Sequence, residues 1–110
     1  MTQALQEYLV VIPDVENVSP EVRAEARPIH LQDIQPEIDA GAVVMGGALL
    51  SKMSQPGQPP AVNGSVLLVH MENDAAVRRR LENDIYTKKG VWDVSKAQVI
   101  QIKCGFRKPM

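Results

Sequence analysis

A chain of 110 residues with 12 basic and 13 acidic side chains and a formal net charge of −1 is one domain without the broad positive field that nucleic acid demands. Its hydrophobic content of 45% is ordinary for a globular protein, and such a length buries roughly 60–70% of the surface that the unfolded chain exposes, enough for one core. The single cysteine, Cys104, excludes an intramolecular disulfide and fits a reducing compartment; with no signal-like start and no apolar run long enough to span a bilayer, the expectation is a cytoplasmic protein without membrane contact.

Glu7 to Ile12 (EYLVVI) is rich in β-branched and aromatic residues and stops at Pro13, which predicts a strand. Tyr8, Val10 and Ile12 alternate with Leu9 and Val11, so both faces are apolar and the strand belongs in the middle of a sheet. Ser19-Pro20-Glu21 is a helix start: a serine cap, a proline at the first helical position and an acid at the positive helix end. The helix is expected to run to about Ala40 and stop at Gly41. A kink or short break is expected near Arg27-Pro28, because Pro28 and Pro36 each remove a backbone hydrogen bond. The apolar stripe agrees: Val22, Ala26 and Ile29 define one face, and Leu31, Ile34 and Ile38 a rotated one.

Ala42 to Leu50 (AVVMGGALL) predicts a second strand, in which Gly46-Gly47 marks a bulge or a close approach of ligand or backbone. Ser51 to Gly64 is a proline-containing loop that closes on Asn63-Gly64. Ser65 to Met71 is a third strand, again apolar on both faces. Asn73 or Asp74 caps a second helix, where Val77 and Leu81 lie one turn apart. Arg78-Arg79-Arg80, set among Glu72, Asp74, Glu82 and Asp84, reads as a solvated helix face. Val99 to Phe106 is the last strand. Its alternation of Ile100, Ile102, Cys104 and Phe106 with Gln101, Lys103 and Gly105 suits a sheet edge, with Cys104 a buried small hydrophobe.

The order β-α-β-β-α-β is the ferredoxin-like α+β arrangement, an antiparallel four-stranded sheet with two helices on one face. Its central strands are the first and third, the two that are apolar on both sides. The helix-free side then needs a cover, and a homodimer joined sheet to sheet, a dimeric α+β barrel, is the simplest one.

In a continuous helix Arg23, Arg27 and His30 share a face, and two guanidinium groups there can hold a carboxylate or phenolate bidentately. The competing reading for Arg23 is a solvated face pairing with Glu21 and Glu25; for Arg27 the two stand level. Asp84 reads equally as a turn or cap residue, since Asn83-Asp84 falls where the second helix ends. Tyr86 reads first as an aromatic anchor and second as a donor to substrate. Trp92 reads as packing at the edge of the core or of the dimer. His70, on a central strand, reads first as a core histidine and second as a pocket lining. Neither metal-ligand spacing nor a Gly-rich phosphate loop is present, so no metal and no cofactor are expected.

Arg23, Arg27, His30 and Leu31, then Gly41, then Gly46-Gly47, and finally Asn83-Asp84-Ile85-Tyr86 with Gly90-Val91, follow one another in an order and spacing that resembles the YCII-related (YciI-like) family. The resemblance spans about Glu7 to Phe106, within one domain covering 1–110. It departs at Ile85, where the family often has proline before the aromatic residue, and in the long Ser51 to Gly64 loop. The resemblance implies a ferredoxin-like dimer with His30 and Asp84 as a catalytic pair, and a substrate site at Arg23, Arg27, Tyr86, Gly46 and Gly47. Hydrogen chloride elimination from a chlorinated aromatic intermediate is one activity found among members. Three functions follow as alternatives. The first is a cofactor-independent enzyme in which His30 abstracts a proton for elimination, dehydration or isomerisation of a small anionic or aromatic metabolite. The second is a non-catalytic dimeric module binding such a metabolite, and the third a structural or regulatory dimer.

Overall fold

The apolar run that stops at Pro13 forms strand β1, Gln6–Pro13, in a computed structural model that describes residues 5–51, 56–57 and 61–109. Alternation sends Tyr8, Val10 and Ile12 into the core and leaves Leu9 and Val11 half-buried on the other face. Strands β3, Val62–Met71, and β4, Gln98–Ile102, pair with β1 on its two sides, both antiparallel. Strand β2, Val43–Leu50, pairs antiparallel with β3, so the order across the sheet is β2-β3-β1-β4. Helices α1, Pro20–Asp39, and α2, Asp74–Glu82, make the two crossovers. This is the ferredoxin-like α+β fold, with β1 and β3 central.

Both helices bury their apolar positions against one face of the sheet. Ala26 and Ile34 of α1, with Val77 and Leu81 of α2, join Val10, Ile12, Leu67 and Val69 in a single core. Each of these valine, leucine and isoleucine side chains contributes about 1.5–3 kcal/mol on burial. Among the described residues the opposite face carries no helix. There the strand register lines up Met45, Leu68, Leu9 and Ile100 as one row across all four strands. Met45 and Ile100 are each 45% exposed in the single chain. Among the described residues no helix is long and apolar enough to cross a membrane.

Helix α1 runs without a break through Pro28 and Pro36, and its inward stripe does not rotate: Ala26, His30 and Ile34 are buried, whereas Ile29, Leu31 and Ile38 are exposed. The expected break near Arg27-Pro28 is absent because both prolines, and Ala24 and Gln32 whose carbonyls they free, lie on the exposed side. Water takes those carbonyls there. The register shifts of β2 fall between Val43 and Met45 and between Leu49 and Leu50, on either side of the glycine pair where a bulge is expected. Gly46 stays in register with Leu67, whose side chain would sit 3.2 Å from an added Cβ.

Strand β3 begins earlier than predicted, so Asn63 and Gly64 lie in the ladder and not in a loop. Gly64 belongs there because an added Cβ would meet the Ile12 carbonyl oxygen at 2.6 Å. The rest of the expected proline loop, 52–55 and 58–60, lies outside the described residues. Strand β4 ends at Ile102, not Phe106, with Ile102 paired to Glu7 beside the start of β1 at Gln6. The Cys104 N–H turns instead to the Glu7 carboxylate at 2.9 Å, its thiol is half-exposed, and Phe106 is 95% exposed. A short helix α3, Ile85–Lys88, follows α2 where the sequence predicts only a turn.

Candidate active site

Three polar residues of α1, at positions 23, 30 and 37, recur every seven residues and so return to the same face two turns apart. They flank the buried Ala26 and Ile34, and each finds a counter-charge from another part of the chain. Arg23 Nε donates to Asp14 Oδ2 at 2.8 Å. His30 Nδ1 lies 2.9 and 3.0 Å from the two oxygens of Asp84. Glu37 receives Arg80 through two parallel bonds, Nε to Oε1 at 3.0 Å and Nη2 to Oε2 at 2.7 Å.

Asp84 is placed by two short-range rules. It follows the last turn of α2, and its backbone is extended, at φ −71° and ψ 145°, as the N-cap of α3. Its Oδ1 accepts the Tyr86 N–H at 2.9 Å, as a cap does. Being four residues beyond Arg80, it also lies one turn down the same helix face, and Arg80 Nη1 donates to Oδ2 at 2.6 Å. Burial pushes the Asp84 carboxyl up, but the hydrogen bonds from His30, the Tyr86 amide and Arg80 outweigh it and hold the group below the usual carboxylate range. Asp84 is therefore an ionised acceptor, and Nδ1 of a neutral His30 is the nitrogen that carries the proton.

Three aromatic rings meet at the dyad. Tyr86 stacks on His30 with centroids 4.3 Å apart and planes 25° apart, and Trp92 meets the imidazole edge-on at 5.6 Å. Gly90, at φ +74°, makes the reversal after α3 that a residue with Cβ adopts only with strain. That turn brings the Val91 and Trp92 N–H groups back onto the Tyr86 carbonyl at 2.7 and 3.1 Å, which sets Trp92 beside His30. Trp92 Nε1 donates to Ser65 Oγ at 3.0 Å. Burial raises the Tyr86 phenol above its ordinary value, against the nearby charges of Arg23 and Arg27.

With Nδ1 on Asp84, His30 Nε2 has no hydrogen-bond partner among the described residues. Of the His30 side chain, 11% reaches solvent.

The other predicted site residues are placed as follows. Arg23 is not on a solvated face with Glu21 and Glu25. Its guanidinium is tied to Asp14, the Gly64 carbonyl, Ser65 and the Tyr86 hydroxyl, and lies 4.9 Å from the Tyr86 ring centre. Arg27 is exposed, with its charge felt at Tyr86. Tyr86 is in the core, 3% exposed. Gly46 and Gly47 are exposed on edge strand β2, and none of the contacts of His30 or Asp84 involves them. Trp92 is buried in the core, 2% exposed. His70 is not a core residue: it is half-buried on the helix-free face, its Nε2 3.0 Å from Glu7 Oε2, lining a cavity of about 450 Å³ with Arg107 and Phe106. Neither that cavity nor a smaller one near Arg78 and Ser95 is lined by His30 or Asp84, because Tyr86 and Trp92 pack against the imidazole. Arg80 and Glu37 are the members of the cluster that the sequence reading missed. The signal was the four-residue step from Arg80 to Asp84 together with the seven-residue step from His30 to Glu37.

No protein-family model matches the chain. Fusaric acid biosynthesis protein 2 of Gibberella fujikuroi is 36% identical over 103 residues, which cover 94% of this chain and 98% of that protein. The chain belongs to the family of fusaric acid biosynthesis protein 2. A 37% identical match to aspartate kinase FUB3 of Fusarium oxysporum f. sp. lycopersici covers 94% of this chain but only 19% of the kinase. Among solved structures, the 5-chloro-2-hydroxyhydroquinone dehydrochlorinase TftG of Burkholderia phenoliruptrix AC1100, in complex with 2,5-dihydroxybenzoquinone, superposes with a TM-score of 0.72 at 26% identity. The superposition covers 90% of this chain and 95% of that one. The chain is thus similar in fold to a dehydrochlorinase solved with 2,5-dihydroxybenzoquinone bound.

Proposed function

We propose that the chain is a small lyase-type enzyme acting on a hydroxylated, anionic or aromatic metabolite, with His30 as general base and Asp84 as its orienting partner. The observation that carries this reading is the imidazole itself: Nδ1 is bound to an ionised aspartate, while Nε2 has no hydrogen-bond partner among the described residues and 11% of the side chain reaches solvent. The likeness to TftG supports the substrate class, and the motif resemblance to YCII-related proteins supports the pairing of His30 with Asp84.

In the proposed step Nε2 takes a proton from the substrate. The electron pair of the broken bond forms the new double bond as the leaving group departs with its own pair. Asp84 stabilises the imidazolium, which returns its proton to solvent. General-base assistance of this kind contributes about 10²–10⁴-fold. Arg27, exposed and within electrostatic reach of Tyr86, meets the negative charge that develops on the substrate. Every group the step uses is a side chain of this protein, so neither metal nor nucleotide enters it.

The test is turnover of ring-substituted hydroquinones carrying a halide or hydroxyl leaving group, followed by absorbance and by halide release. Wild type is expected to turn over at least one of them in the presence of a chelator, and His30→Ala to lose the activity by a factor of about 10²–10⁴. Undiminished activity in His30→Ala removes the base from the mechanism, and activity lost to the chelator removes its metal independence. Tight binding without turnover by the wild type gives the non-catalytic module instead.

A further inference from the structure

We infer that Arg80, clamped by Glu37, is the positioning residue that keeps the reactive lone pair of His30 on Nε2. The inference deepens the reading of His30 as base and rests on it for its meaning in turnover. Four side chains close a loop between two helices: His30 and Glu37 on α1, seven residues apart, and Arg80 and Asp84 at the end of α2, four apart. The Arg80 side chain is 13% exposed and spends three of its nitrogens on the two carboxylates. The fork on Glu37 fixes the guanidinium plane, and the remaining nitrogen is thereby aimed at Asp84 Oδ2.

Charge gives the loop its purpose. With His30 neutral, Glu37, Arg80 and Asp84 together carry one negative charge. Without Arg80 the buried Asp84 would lose one of the three donors that hold its carboxyl down and would keep the Glu37 carboxylate across the gap that the cation bridged, and both changes push Asp84 toward binding a proton. A protonated Asp84 is a hydrogen-bond donor. It would face the lone pair of Nδ1, and the imidazole proton would then sit on Nε2. Nε2 would carry a hydrogen and could not act as a base. Arg80 therefore acts on the tautomer of His30 through Asp84 without touching the imidazole. It needs the helix-to-helix bond from Glu37 to do so. Lysine, a point charge without the fork, replaces the charge but not the geometry.

Nitrogen-15 spectra of the histidine rings test this directly, without any substrate. In wild type with a neutral ring, His30 should show an unprotonated Nε2 and a protonated Nδ1. In Arg80→Met the assignment should reverse or become mixed, and the carbon-13 titration of the Asp84 carboxyl should move upward. Arg80→Lys should restore most of the Asp84 titration and part of the tautomer. In turnover Arg80→Met should lose about 10²-fold in kcat, the order expected for a misplaced catalytic group, with little change in KM. A drop in thermal stability in Arg80→Met with unaltered ring nitrogens and an unaltered Asp84 titration overturns the inference and leaves Arg80 as a helix tie. If the Met variant does not fold, wild-type behaviour of both signals in Arg80→Lys with Glu37→Gln overturns it equally. Because these spectra do not depend on catalysis, failure of the His30 mechanism shows in turnover alone and is distinguishable from failure of the positioning role.

Discussion

At the scale of single residues, Asp84 has three duties. It caps α3, accepts from His30, and accepts from Arg80, all with one buried carboxylate. Its pH behaviour follows from that. Its folded pKa lies below the unfolded value of about 3.9, so the stabilisation is fully present above that value and is lost as pH falls through the folded pKa. Urea denaturation across the acid range should therefore show stability dropping below about pH 4 in wild type. In Asp84→Asn the acid-dependent part contributed by this group should vanish. The same substitution places an amide against Nδ1, which reorients or re-tautomerises the imidazole. It should cost activity heavily while leaving the fold in place, and a flat ratio of wild-type to variant stability across pH would contradict the assignment.

At the scale of elements, α1 and the β1–β3 ladder differ in how they tolerate irregular residues. Helix α1 accommodates Pro28 and Pro36 because the carbonyls they orphan face water. The ladder has no such outlet at Gly64. There the neighbouring strand approaches so closely that a methyl group would overlap the Ile12 carbonyl at 2.6 Å and crowd the Pro13 Cα at 3.1 Å. These are backbone atoms and cannot rotate aside. Gly64→Ala should thus destabilise the protein by about 1–3 kcal/mol, the range for overpacking, measured as a lower denaturation midpoint at unchanged m-value. The effect should spread to Arg23, which donates to the Gly64 carbonyl and holds the Tyr86 side of the dyad. Gly41 and Gly57, with nothing within 4 Å of an added Cβ, are sites where the cost of alanine is conformational only.

At the scale of the whole molecule, helices cover one face of the sheet, and among the described residues no helix covers the other. The row Met45, Leu68, Leu9 and Ile100, with Val11 and Val66 beside it, is the apolar surface that a second copy would bury. A stable dimer needs about 800 Å² from each partner. Sedimentation should find a dimer at micromolar concentration. Ile100→Asp and Met45→Lys, both at exposed positions on this face, should give monomers with unchanged far-ultraviolet circular dichroism. A monomeric wild type would end the proposal of sheet-to-sheet pairing.

Legibility tracked the range of the interaction. The two-sided apolarity of Glu7 to Ile12 and Ser65 to Met71 determined which strands are central, because a strand covered on both sides must be apolar on both sides. Ser19-Pro20 and Asn73 determined where the helices begin, since a cap is a matter between a residue and the next three. The α+β order followed from those elements alone. What lay beyond the sequence were the properties that depend on what sits opposite. Arg80 in a run of three arginines looks solvated until Glu37 and Asp84 arrive from two sides. Arg23 looks paired with its helix neighbours until Asp14 is brought nearer. Strand β4 reads on to Phe106 by alternation, but it ends at Ile102, beside the start of β1. His30 Nε2 and Nδ1 are equivalent in a sequence; only the packed chain, by putting Asp84 on Nδ1, decides which of them that bond leaves free.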